Sequence, residues 1–327
     1  MKNKRPILGI SAGDPAGIGP EITVKALSLQ NIYEICKPLV VCDAKIIEQI
    51  IGICKLPLKV NSVTQPADGI YQYGTVDVLD MKNVDATFQF NTISAMTGKA
   101  SFEYVAKIIE LANEGLIDAT ITGPIHKEAI HKAGYFFAGH TEIYAELTHT
   151  KDYAMMLADG GFRVIHVSTH VSLSEAIRRV KKDRVLKTIQ LAYSALQKIK
   201  IGHPRIAVAG LNPHAGENGL FGTEEIDEII PAIEEAKLLG IPAEGPFPPD
   251  TIFPKMRGGQ YDIVVCMYHD QGHIPTKLLG FNYNHEKEKW EGLSGVNITL
   301  GLPIIRVSVD HGVAFDKGEK EKLILKV

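Results

Sequence analysis

The chain has 327 residues, of which 45% are hydrophobic and 22% charged; at roughly 150 residues per domain that is two domains or one large α/β unit. This length and composition exclude a mainly disordered chain and a disulfide-stapled miniprotein. Lys plus Arg (35) nearly balance Asp plus Glu (38), for a formal charge of −3. With no long basic run, the charge argues against a nucleic-acid backbone and for a small-molecule ligand.

In chain order, the N-terminal MKNKRPILGISAG is followed at once by Asp14 and Pro15, so it reads as a first strand at 6–12 rather than a secretory leader. The glycines of GDPAGIGPE, at 13, 17 and 19, fit neither the dinucleotide fingerprint nor the P-loop. A tight strand-to-helix turn and an anion cradle both stay open there, with Pro20 suited to a first helical turn. Further strands are expected at 38–42, 119–122, 164–168, 205–211, 261–267 and 303–309. Helices are expected at 100–113 and 224–239, and Ser172-Leu-Ser-Glu175 reads as a capping box. Irregular chain is expected at 245–249, at the Arg257-Gly-Gly turn and through the hydrophilic 282–294, which holds the single tryptophan, Trp290. The alternation predicts the α/β class, a largely parallel sheet covered by helices. No apolar stretch approaches the ~20 residues that span a bilayer. Cys36, Cys42, Cys54 and Cys266 form no C-x-x-C pair. A soluble protein of the reducing cytoplasm is expected, with no membrane and no nucleic acid among its partners.

The residues that carry chemistry sit after the predicted strands. His170 follows VIHVST, His214 follows IAVAGLNP and His269 follows DIVVCMY. In a parallel α/β sheet, ligands gather beyond the carboxyl ends of strands. Three neutral imidazoles there suit a divalent cation with positions left open for substrate; hydrogen-bonded structural histidines are the alternative. His140 stands in GHTE, where Thr141 and Glu142 also suit a helix start. Lys277, Asn297 and Arg306 offer fixed cations and an amide for a phosphorylated or carboxylated ligand, and each is also an ordinary surface residue type.

Taken together and in order, GDPAGIGPE, TGPIHKEAI, GHTE, NPHAGENGLFG, GPFPPDT, MYHDQGH, GVNITLGLPIIR and SVDHG resemble the 4-hydroxythreonine-4-phosphate dehydrogenase family. YAMMLADGG, VIHVSTHVSL and HDQGHIPTKLLGF look closer to its 4-phospho-D-threonate and 4-phospho-D-erythronate 3-dehydrogenase branch. The resemblance covers most of residues 6 to 316. It implies an isocitrate/isopropylmalate-dehydrogenase-like fold with two α/β/α domains sharing a largely parallel sheet and a cleft between them. The first domain would be 1–140 plus 296–327; the second, 141–295, would carry the interface of a homodimer.

By motif, the resemblance assigns a divalent cation (Zn, Mg, Mn or Co) to His170, His214 and His269. It assigns substrate to His140, Thr141, Lys277, Asn297 and Arg306, and NAD to Asp310, His311 and Gly312. Lys277 and Asp250 are its candidates for proton transfer. The implied reaction is NAD-dependent oxidation at C3 of a 4-phosphorylated hydroxy acid, then decarboxylation to dihydroxyacetone phosphate and CO2. The alternatives are oxidation of 4-hydroxythreonine 4-phosphate in pyridoxal phosphate biosynthesis, a metal-dependent hydrolase, and a metal- and phosphate-binding protein with impaired cofactor binding. The chain departs from the family pattern in the spacing of Lys277 and Asn297, which 282–294 lengthens, and after Asp316, where it reads KGEKEKLILKV. The family continues there through a loop that holds the adenine end of the cofactor, so weakened NAD binding with an intact metal site is the expectation.

Overall fold

In a computed structural model, which describes residues 5–286, 288–291 and 295–309, the chain divides into two compact units. They are Met1–Thr150 with Leu302–Val327, and Lys151–Gly301. The sequence reading cut the chain at 140/141 and 295/296. The helix His140–Leu147 belongs to the first unit because Ile143 and Tyr144 are fully enclosed in its core beside Val105 and Ile108.

The described strands, in chain order, are β1 (Ile7–Ser11), β2 (Lys37–Cys42), β3 (Lys59–Val63), β4 (Thr75–Asp80), β5 (Ala119–Thr122), β6 (Ala154–Asp159) and β7 (Phe162–His166). They continue with β8 (Ile206–Ala209), β9 (Ala243–Phe247), β10 (Ile263–Cys266), β11 (Asn282–Asn284), β12 (Lys289–Glu291), β13 (Val296–Leu300) and β14 (Arg306–Ser308). In the first unit the order is β3-β4-β2-β1-β5-β14, every pair parallel. Leu39, Val40 and Val41 are fully buried, as strands covered on both faces require. In the second unit the order is β13-β6-β7-β10-β8-β9, in which β6 pairs antiparallel with β13 and β7 while β7, β10, β8 and β9 run parallel. Two apolar clusters pack in this unit, one with Ile189 and Val265, the other with Ile252 and Val264. The α/β class and the largely parallel sheet are thus observed in each unit.

Local differences from the sequence reading have physical causes. The helix expected at 224–239 is interrupted: Glu225–Ile229 is a π-turn and the α-helix begins at Ile230. Pro231 has no N–H to continue the α ladder. Of GPFPP, expected to be irregular, Gly245, Pro246 and Phe247 end strand β9, an edge strand that tolerates Pro246, while Pro248 caps the helix that Pro249 opens. Part of 282–294 forms the hairpin β11/β12, with Tyr283 opposite Trp290. The capping box forms on one side only. Ser172 Oγ accepts from Glu175 N at 3.3 Å, while the Glu175 carboxylate turns to Arg178 and Arg179. GDPAGIGPE is a tight turn in which Gly13 has φ +78° and a Cβ on Gly19 would meet the Ala12 carbonyl oxygen at 1.9 Å. The four cysteines are free. Among the described residues, no helix is long and apolar enough to cross a membrane.

The first unit's longest helix, Ala95–Asn113, starts at Ser94, whose hydroxyl accepts from Thr97 N, the usual way of satisfying a helix's first amides. It approaches Lys127–Lys132 so closely that a Cβ on Gly98 would lie 1.9 Å from the Ala129 carbonyl oxygen. Backbone cannot yield as a flexible side chain can. Gly98→Ala is therefore expected to destabilise the protein by roughly 1–3 kcal/mol, measured by chemical denaturation; an unchanged midpoint would contradict this close packing.

Candidate active site

In the second unit, three adjacent parallel strands end in the segments that carry the predicted metal ligands. β7 leads to His170, β10 to His269 and β8 to His214, and β10 lies between the other two. His269 opens the helix His269–Gly280. Its Nδ1 lies 2.7 Å from Asp270 Oδ1; with Nδ1 as the donor, Nε2 carries the lone pair. The His170 ring centroid is 5.6 Å from that of His269. Both line a cavity of about 470 Å³ together with Ser172, Tyr268 and Asp270.

His214 is held differently. Residues 214–218 all have positive φ, from 43° to 81°, a left-handed turn in which each non-glycine residue costs roughly 1–2 kcal/mol. The structure thus brings His170 and His269 into one pocket and leaves His214 on its own exposed turn. Among the described residues, no group of three His, Cys, Asp or Glu is close enough to hold a metal. The donor chemistry, imidazoles beyond neighbouring strand ends, is of a kind that a divalent ion of borderline softness accepts.

Two histidines that the sequence reading passed over complete a cluster. The His273 ring stacks on His269 at 3.6 Å between centroids and 10° between planes, and its Nδ1 lies 2.9 Å from the His269 carbonyl oxygen. His166, only 1% exposed, lies 4.7 Å from the His273 ring. Its Nδ1 is 3.2 Å from the Met155 carbonyl oxygen, and its enclosed Nε2 has no hydrogen-bond partner among the described residues. His269 and His273 are spaced for one face of a helix, but Pro275 speaks against a helix in the sequence, and the pairing went unread.

The remaining predicted residues of this unit are separately placed. Lys277 lies two turns beyond His269, with Nζ 5.7 Å from the Phe281 ring. Asn297 stands on β13, its Nδ2 3.0 Å from Met155 Sδ and its buried Oδ1 without a partner among the described residues. Asp250 is exposed in the first turn of the helix Pro249–Arg257, where an acidic side chain meets the positive end of the helix dipole.

The first unit gathers His140, Thr141 and Arg306. Arg306 is 3% exposed; its Nη2 donates to Thr122 Oγ1 at 3.0 Å, and its guanidinium lies 5.6 Å from the Tyr144 ring. His140 begins the helix His140–Leu147, and its Nε2 is enclosed without a partner among the described residues. Burial, then the nearby Arg306 charge, press its pKa down to about 3, so the ring is neutral beside a buried cation. A small cavity of about 130 Å³ is lined by Thr122, Lys127, Gly139, His140 and Ser308. Lys127 and Ser308 lie within TGPIHKEAI and SVDHG, where their types alone did not single them out. Asp310, His311, Gly312 and the KGEKEKLILKV tail lie outside the described residues.

With this geometry in hand, comparison with known proteins is informative. Residues 34–324 match the family described as pyridoxal phosphate biosynthetic protein PdxA. A curated relative from Cupriavidus necator, named D-threonate 4-phosphate dehydrogenase, is 44% identical over 97% of this chain and 92% of its own length. A crystal structure of a 4-hydroxythreonine-4-phosphate dehydrogenase from Burkholderia phymatum superposes with a TM-score of 0.84 at 42% identity, covering 96% of this chain and 92% of that one. A second, from Klebsiella pneumoniae, gives 0.85 at 40% identity, covering 95% and 92%. These likenesses make the chain a dehydrogenase, an oxidoreductase acting on CH–OH. The chain belongs to the PdxA family.

One consequence of the site is measurable without a ligand. Burial, reinforced by His273, lowers the His166 pKa from 6.5 to about 3. Between those values the unfolded chain takes up a proton at this position that the folded protein refuses, so stability falls as pH falls below 6.5. From pH 7 to pH 5 this one group is expected to remove about 2 kcal/mol. Denaturant titrations at both pH values check it: His166→Gln should flatten that slope, and an unchanged slope would contradict the buried, neutral imidazole.

Proposed function

We propose that the protein is a dehydrogenase of a 4-phosphorylated hydroxy acid, 4-phospho-D-threonate or 4-phospho-D-erythronate, that uses NAD⁺ and a divalent cation and works as a homodimer. The observation that carries this reading is the placement of His170, His269 and His214 after three adjacent parallel strands. The name of the Cupriavidus necator relative supports the phosphorylated threonate as substrate. His170 and His269 would hold the cation with His214 as the third ligand. When bound, the cation supplies Lewis-acid polarisation of the reacting oxygen, and the nicotinamide supplies a hydride acceptor.

The chain's own groups do the rest. Asp270 keeps the His269 ring in the tautomer that leaves Nε2 available. Buried Arg306, steadied by Thr122, binds an anionic end of the substrate with His140 and Thr141; a desolvated guanidinium is worth more to an anion than an exposed one. Asn297 Oδ1, an acceptor without a partner among the described residues, accepts from a substrate hydroxyl. Lys277 binds charge or takes the C3 hydroxyl proton, and Asp250 is the other group for that proton. Asp310, His311 and Gly312 would meet the cofactor. A bound nicotinamide would serve as acceptor for the C3 hydride, while the base takes the hydroxyl proton. The C1–C2 bond of the resulting β-keto acid then breaks, releasing CO2, and C2 takes a proton to give dihydroxyacetone phosphate.

NADH absorbance with a substrate panel tests this. The phosphorylated threonate or erythronate should yield NADH together with dihydroxyacetone phosphate, and unphosphorylated threonate should not. Equal use of both would refute phosphate recognition, and a preference for 4-hydroxythreonine 4-phosphate would favour the activity named for the two crystal structures. Arg306→Ala is expected to raise KM roughly 10- to 100-fold, the loss of one charge-assisted contact, without unfolding the chain.

A further inference from the structure

The left-handed turn that carries His214 is held from behind by a carboxylate that no sequence motif singled out. Glu225 is 2% exposed. It accepts from Leu211 N and Asn212 N at 2.7 Å each through Oε1, and from Asn212 Nδ2 at 2.9 Å through Oε2. The loop closes on it at both ends: a Cβ on Gly216 would lie 2.7 Å from Oε2, and one on Gly210 3.1 Å from Oε1. Glu225 also lies in the π-turn before Pro231. The root of the turn is fixed as well. Buried Gln271 donates from Nε2 to the Gly210 carbonyl oxygen at 2.7 Å and accepts from Met267 N at 2.6 Å, tying the end of β8 to the end of β10.

We propose that Glu225 is a positioning residue: its carboxylate holds the His214 turn in its left-handed conformation and so fixes where that imidazole stands beyond β8. A group that only accepts is what this pocket demands, because its hydrogen bonds here all come from N–H donors. Glu225→Gln keeps the shape but turns a donor toward the Asn212 amide or toward two backbone amides. A donor then faces a donor inside a closed loop, and the turn loses part of what balances its strain.

The inference rests on the reading of His214 as a metal ligand, and the experiment separates the two. Co²⁺ titration, followed by its d–d absorption, is run on wild type, His214→Ala, Glu225→Gln and Asn212→Ala, with hydrogen exchange of residues 211–218 measured on the same proteins without metal. Glu225→Gln is expected to bind Co²⁺ about 10- to 100-fold more weakly, as loss of an outer-sphere support does. Its 211–218 amides should exchange faster, while its circular dichroism stays that of wild type. Asn212→Ala removes the Nδ2 bonds to Glu225 Oε2 and to Glu224 Oε2 and keeps the two backbone amides on Glu225 Oε1; with Glu224→Ala run beside it to take out the Glu224 share, it should shift both readouts the same way by less, and it decides the matter if Glu225→Gln does not fold. Unchanged exchange in Glu225→Gln overturns the proposal whatever Co²⁺ does. Faster exchange with unchanged Co²⁺ affinity, while His214→Ala binds weakly, overturns the link from turn to ligand. Equal affinity of His214→Ala and wild type overturns the metal reading of His214, and with it the link.

Discussion

The account depends on one constraint of parallel sheets: neighbouring strands that run the same way deliver their following segments to the same edge. In the second unit β7, β10 and β8 do this side by side. Each strand is short and wholly apolar at its centre, as in the buried Ile263–Cys266, so its register is set by the core. The segment beyond it inherits that register. Residues far apart in sequence are thereby brought beyond the same edge of the sheet.

What stands at that edge is kept in place by groups of quite different kinds. His269 has a carboxylate at Nδ1 and a stacked ring above it. His214 has a strained turn, and the amides of Leu211 and Asn212 just before it donate to a buried carboxylate. Such strain persists only where the surroundings over-determine it, and here one buried carboxylate takes Leu211 N, Asn212 N and Asn212 Nδ2 at the root of the turn. The first unit uses burial instead. Arg306 and His140 lie together there, and burial with the Arg306 charge holds the imidazole neutral.

Much of this was legible in the sequence because it is written in periodicity and punctuation. The apolar runs gave the class and most parallel strands, and the histidines that follow them lie beyond β7, β10 and β8. The π-turn was not legible, since a helical pattern hides a single missing N–H until the bonds around Pro231 are traced. Nor was β9, where GPFPP reads as a loop but sits at a sheet edge that asks little of its amides. His273 lay hidden behind Pro275, and Glu225 looked like one acid among several in TEEIDE. Its role depends on a loop 13 residues upstream in spacing that only the fold closes. Side chains that support a site have no composition of their own; geometry alone separates them from the surface.

The central claim is that His170, His214 and His269 serve one divalent ion. Metal content of the dialysed protein, measured by plasma emission spectroscopy on wild type and on the three single His→Ala variants, tests it most directly. The account predicts a bound divalent ion in wild type and clear loss of it in each variant, with each variant still folded. Undiminished metal content in all three would contradict it.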